Sequence, residues 1–249
     1  MPFLVKKDFC GFSAKSDKIL VRDHQLNGSV EKYQPQGQDG SFDQGTEVFG
    51  EDTAPSNSYG VKAPGVEFEA GAIKLNEVVT VDSKPYALES FEIETAAGSP
   101  VKLTAKSKEI ESGTDATVQC KYPVPAFSLS TKQHAQILFG AFTLSGNGCT
   151  LTACKAAIGG SINVDKVAGT KISSDINSGI ITVTGTILRS ANVAENEPPV
   201  ITPAEGWILT KPPAPTENNP ETEYPTYEFE LQKPLVKEEE TTPAEEGAE

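Results

Sequence analysis

The sequence predicts a mainly β protein: an antiparallel β-sandwich or barrel with one short helix, flanked by extended arms. Three observations predict it. Between residues 72 and 189, apolar side chains alternate with polar ones in short runs, the period of a strand with one buried face. Those runs are divided by clusters of Gly, Asn, Ser and Pro, as in a sandwich or barrel. On either side the composition shifts towards Gly, Pro, Gln and acidic residues, and the apolar share of the chain is 37%, below that of a chain packed throughout.

The start, Met1 to Asp8, places its charges after a very short apolar stretch and lacks the apolar core of a signal peptide. Residues 34–71 scatter Phe42, Val48, Phe49, Tyr59, Val61, Val66 and Phe68 among Gly, Pro, Gln, Ser and Asp. That pattern reads either as a flexible linker or as an extended arm whose spaced aromatics dock on another surface, such as a neighbouring subunit. Residues 1–71 are therefore set apart as an N-terminal segment and arm.

Residues 72–189 form the expected body. Ile73, Leu75, Val79 and Val81 share one strand parity, as do Val101, Leu103 and Ala105, and Val118 and Cys120 continue the theme. Tyr86 and Leu88 switch parity to Phe91 and Ile93, which predicts a bulge near Glu89-Ser90. Ala97-Gly98-Ser99-Pro100 reads as a turn. Ser130 as N-cap, Gln133 at the capping-box position and a stripe of Ala135, Leu138, Phe139 and Phe142 predict a helix over 130–142; a buried strand from Ile137 to Leu144 is the alternative. After Gly146-Asn147-Gly148 the strands resume with Cys149, Leu151 and Ala153, then Ile162 and Val164, then Ile181, Val183 and Ile187 behind the Asn177-Ser178-Gly179 turn. A body of this size buries about two-thirds of its extended-chain surface.

Residues 190–236 are dense in proline, which excludes central strands and favours an extended spacer. Within it, Trp207-Ile208-Leu209 and Tyr227 to Leu231 are apolar islands able to add an edge strand or anchor the arm on the body. Residues 237–249 hold six Glu after Lys237 and read as a disordered acidic tail.

The chemistry is mostly a list of exclusions. With 35 acidic against 21 basic residues the net charge is −14, which disfavours nucleic acid as a partner. No run approaches the roughly 20 apolar residues of a membrane-spanning helix, so neither a membrane partner nor a transmembrane segment is expected. The four cysteines, Cys10, Cys120, Cys149 and Cys154, lack metal or redox spacing and read as free thiols of a reducing compartment. A bridge between Cys10 and Cys120 is the alternative, while Cys149 and Cys154 should not bridge each other. The two histidines, His24 and His134, read as ordinary residues, and Ser16, Ser130 and Cys120 lack the motif of an activated nucleophile. Asp39-Gly40-Ser41-Phe42-Asp43 alternates oxygens, yet Gln44 stands where a calcium loop needs Gly. Glu89, Glu92 and Glu94 read as a solvated strand face rather than as an acid pair. Trp207, Tyr224 and Tyr227 could build a sugar platform, with packing on the body as the other use. No catalytic, cofactor-binding or metal residue is assigned, and the chain is expected not to be an enzyme.

The run Leu144-Ser-Gly-Asn-Gly-Cys-Thr-Leu-Thr and the strand Ile180-Ile-Thr-Val-Thr-Gly-Thr-Ile, within residues 88–187, resemble in general style the β-rich structural proteins of tailed-phage virions. That resemblance implies a non-enzymatic tail or capsid-surface component that self-associates, with copies of itself or other assembly proteins as partners and a virion, assembled in a reducing cytoplasm, as its location. The alternative is a β-sandwich recognition module for carbohydrate or a surface partner.

Overall fold

The computed structural model describes residues 6–33, 47–110, 121–132, 134–167, 170–176, 179–189, 198–216 and 225–238. After the one-turn helix α1 (Phe12–Lys15) come β1 (Ile19–Tyr33), β2 (Glu47–Val61), β3 (Gly65–Phe68), β4 (Lys74–Leu75), β5 (Val78–Val81), β6 (Lys84–Ala96) and β7 (Lys102–Glu109). Next are β8 (Tyr122–Pro123), β9 (Phe127–Ser130), β10 (Phe142–Ser145), β11 (Cys149–Gly159), β12 (Ile162–Val167) and β13 (Thr170–Ile176). The chain then forms β14 (Ile180–Arg189), β15 (Val200–Pro203), β16 (Ile208–Pro215) and β17 (Thr226–Pro234). The protein is mainly β, as the alternation predicts.

A nine-stranded sheet dominates, in the order β1-β2-β7-β6-β11-β14-β17-β16 with β5 beside one end of β6. Every pairing in it is antiparallel. Among the described residues it does not close into a barrel: β1 and β16 are its edges. Period-two patterning makes the inner face, where Phe91 and Ile93, Leu103 and Ala105, Ala156 and Ile158, Ile181 and Val183, and Phe229 and Leu231 are buried on successive strands. The short pairs β3–β9 and β10–β15 cover this face. Their aromatics interlock with it, Phe127 near Phe91 and Phe142 edge-on to Phe229 at 4.8 Å between centroids. Gly185 faces Phe229 across β14 and β17, and a Cβ there would meet the ring at 2.3 Å, so only glycine lets the ring lie flat on the strand.

Several expectations at the level of single elements hold. The register of β6 against β7 shifts between Leu88 and Ser90, which is the bulge that the parity switch predicts, and Ser99 N donates to Ala96 O in the turn before β7. Others need correction. The helix over 130–142 is absent: β9 ends at Ser130 and the stripe contracts to a single 3-10 turn, Leu138–Gly140, before β10. Phe139 and Gly140 both have positive φ, so the backbone leaves the helical region, and Gly140 lies where a longer helix would have to pass. Cys149, Leu151 and Ala153 do not share one side throughout: Cys149 and Leu151 pack half-buried against the core, and a register shift between Leu151 and Ala153 hands the buried face to Cys154, Ala156 and Ile158. Ile73 and Leu75 are buried, while Val79 and Val81, on the separate strand β5, are half-buried.

The flanks also do more than arm and spacer imply. Tyr59, Val66 and Phe68, from the stretch read as a flexible linker or docking arm, are buried in the core. They recruit neighbours far along the chain, β7 for β2 and β9 for β3, which no local pattern reveals. In the proline-rich stretch, β17 is an interior strand between β14 and β16. Its prolines stand aside, with Pro234 as its last residue. Val118, Cys120 and residues 239–249 of the acidic tail lie outside the described residues. Glu238 is described, and its carboxylate takes Lys74 Nζ at 2.7 Å.

Candidate interaction surface

The outer face of the main sheet carries a trough. The pairings align its outward side chains in rows across the strands, one of which reads Lys102, Glu94, Lys155, Thr184, Glu230, Lys211 from β7 to β16. Opposite charges thus stand beside each other, with Lys102 to Glu94 at 3.2 Å, Lys155 to Glu92 at 3.0 Å and Lys211 to Glu228 at 3.3 Å. Between these walls, β11 and β14 present short side chains: Ala153, Ala157 and Gly159, then Thr182, Thr184 and Thr186. Lys155, the one long side chain on that part of β11, leans to Glu92. Two recesses follow end to end along these strands, one of about 480 Å³ reaching Ala153 and Thr186, the other of about 260 Å³ reaching Gly159 and Ile180. An outer sheet face ordinarily bears long polar side chains; here the centre is a groove with a small-residue floor.

A second polar cluster fixes the N-terminal segment to the sheet. Asp8 accepts from the backbone N–H groups of Cys10, Gly11 and Ser13 and from the hydroxyls of Ser13 and Tyr59. Asn57 accepts from Phe9 N and donates to Lys7 O, both at 2.9 Å. Ser107 Oγ donates to Phe9 O and sits 3.1 Å from Cys10 Sγ. Cysteine, serine and carboxylate come together here, yet burial pushes the Cys10 thiol up to about 11, so it is a neutral thiol at neutral pH rather than a thiolate nucleophile. Burial likewise raises the Tyr59 hydroxyl, with Cys10 and Asp8 adding to it. The cluster is a fastening.

The remaining candidates are dispersed. Cys10, Cys149 and Cys154 are free, and burial pushes Cys154 up to about 11. His24 packs against Phe9, with ring centroids 6.0 Å apart, and His134 is exposed. Ser16 Oγ accepts from Lys18 N, and Ser130 Oγ from Lys132 N. Glu92 and Glu94 do lie on the outer face as ion-pair partners of lysines, and Glu89 accepts from Ile162 N at 3.5 Å. Trp207 is only 8% exposed, packed near Phe139 with Lys233 Nζ 5.9 Å from its ring centre, so it offers no open sugar platform. Residues 39–44 and Tyr224 lie outside the described residues. Among the described residues no group of three His, Cys, Asp or Glu could hold a metal ion, and no helix is long and apolar enough to cross a membrane. Sequence reasoning missed the trough, although the alternation of Thr182, Thr184 and Thr186 with Ile181, Val183 and Ile187 is its trace.

No family model and no curated protein matches this chain.

Proposed function

We propose that the chain is a non-enzymatic structural protein that self-associates through its β1–β2 ribbon, in keeping with the style of a tailed-phage virion component. The observation that carries the reading is the ribbon's length. β1 and β2 pair over their whole extent, from Ile19 opposite Val61 to Tyr33 opposite Glu47, whereas β7 pairs with β2 only from Ser56 to Tyr59. Beyond Gln25 the ribbon outruns β7: β1 is exposed from Gln25 to Ser29, while Thr53 and Pro55 of β2 stay buried. A two-stranded ribbon is marginally stable alone in water, so a long one that outruns its own sheet fits a role in contact with something else. The burial of Trp207 weakens the carbohydrate-module reading.

The test removes the ribbon and with it the buried Thr53 and Pro55, but no described residue of the hydrophobic core. Replacing residues 26–55 by Asn-Gly closes a two-residue hairpin between Gln25 and Ser56, which already face each other. Sedimentation of the full chain is expected to show concentration-dependent association, and the shortened chain a monomer with an unchanged β-type circular dichroism spectrum. A full chain that stays monomeric at high concentration would overturn the proposal.

A further inference from the structure

We propose that the trough on the outer sheet face seats the β1–β2 ribbon of a second copy of this chain. The inference rests on the reading of the ribbon as an assembly arm and adds the surface that receives it.

Shape comes first. Apart from Lys155, the outward residues of β11 from Ala153 to Gly159 and of β14 from Thr182 to Thr186 are no longer than threonine, which lets another backbone approach closely. From Ala153 to Gly159 the floor spans roughly 20 Å, and the ribbon from Gln25 to Tyr33 roughly 27 Å, at ~3.3–3.4 Å per residue. The ribbon can therefore fill the groove along its length. Its free face is polar at the root, with Gln25 opposite Ser56 and Asn27 opposite Ala54.

Charge selects the occupant. The chain carries a net charge of −14, so two copies repel at most orientations. The trough is the exception, because its four lysines, Lys102, Lys106, Lys155 and Lys211, are matched by Glu92, Glu94, Glu228 and Glu230. A polyanion or a polycation meets no excess of opposite charge there. At its root the ribbon offers Gln25 and Asn27 opposite Ser56 and Ala54, all uncharged, with Asp52 opposite Ser29 further out; that root meets a neutral groove with hydroxyls on its floor.

Topology makes the contact reciprocal. Ser56 pairs with Lys106 and Ser58 with Thr104, and both β7 residues line the trough's second recess. The ribbon's free face and the trough thus lie on the same side of one sheet. Two copies stacked outer face to outer face each place their ribbon in the other's trough, an isologous contact that closes with two chains.

The experiment uses the full chain with Cys120→Ser and Cys149→Ser, which leaves only the buried Cys10 and Cys154. Chains carrying Asn27→Cys and chains carrying Ala157→Cys are mixed under mild oxidation and run on a non-reducing gel. A mixed disulfide between the two variants, with little linkage in either alone, is the expected result. Absence of the mixed species, or equal linkage of Asn27→Cys chains to one another, overturns the proposal. Independently, Ala157→Arg lays a long cation on the groove floor and is expected to weaken association at least about tenfold with an unchanged melting temperature. If Ala157→Arg associates like the unmodified chain while the ribbon-shortened chain is monomeric, the seat is wrong and the ribbon reading stands; if the full chain is monomeric, both fall.

Discussion

At one end of the main sheet β1 and β2 are fastened by a polar cluster set beside the buried Phe9, Phe12 and Tyr59, and at the other β16 and β17 are fastened by apolar groups. The first end hangs on Asp8, Asn57, Tyr59 and Ser107, which gather the backbone of residues 7–13. The second hangs on Phe229 and Leu231, buried against β14 and Phe142. Their free edges differ as well. β16 carries Pro212, Pro213 and Pro215, which have no N–H to offer a further strand, whereas β1 has no proline from Ile19 to Tyr33. Proline on an edge blunts sheet-to-sheet pairing, so of these two edges the β1 side is the one open to addition. An apolar seal with a blocked edge at one end and a polar fastening with an open ribbon at the other separate holding the fold together from meeting a partner.

The sharpest way to break this comparison is at the apolar end. Phe229→Ala empties the space between Gly185 and Phe142 and is expected to cost about 3–5 kcal/mol, read as a large fall in denaturant midpoint. At the polar end, Asp8→Ala orphans backbone donors and the Tyr59 hydroxyl and should cost about 1–3 kcal/mol; a loss as large as that of Phe229→Ala would erase the distinction. Gly185→Ala is expected to cost a further about 1–3 kcal/mol by overpacking, and Phe229→Leu in the same chain should recover part of it.

Alkaline titration sharpens the contrast between the buried groups. Cys154 rises from its ordinary 9.0 to about 11 through burial, so the folded chain holds its proton where the unfolded chain releases it. Stability is then flat below about pH 9 and falls between about pH 9 and 11. Cys154→Ala should make that fall shallower in melts across the range. The smallest effect belongs to the outer face, where both partners are half-exposed: Lys211→Ala should change stability by at most about 1 kcal/mol.

What the sequence made legible follows its local signals. The inward parity of Leu103 and Ala105, the bulge beside Ser90 and the buried Ile181 and Val183 all come from period-two patterning, which is a property of one strand at a time. The helix over 130–142 failed because its stripe also suits a β surface, and the positive φ at Phe139 and Gly140 is imposed by packing. Residues 34–71 and 190–236 were underrated for a related reason. Tyr59, Phe68 and Phe229 look isolated along the chain because their neighbours are distant in sequence. The trough was illegible because it is a property of six aligned strands; only the short threonines of β14 hinted at it.

The place of β17 in the strand order carries one more consequence. β14 lies mid-sheet, yet its second neighbour is formed by Thr226–Pro234, close to the last of the described residues. During synthesis the hairpin β1–β2 and the meander β6–β7 can assemble as soon as they emerge, since their contacts are local. The row of Ile181, Val183 and Ile187 must wait for Phe229 and Leu231, and until then one side of β14 is an unpaired, β-branched edge of the kind that aggregates. β14 therefore carries an open, β-branched edge until Thr226–Pro234 emerges, as β6 does until β11 is made.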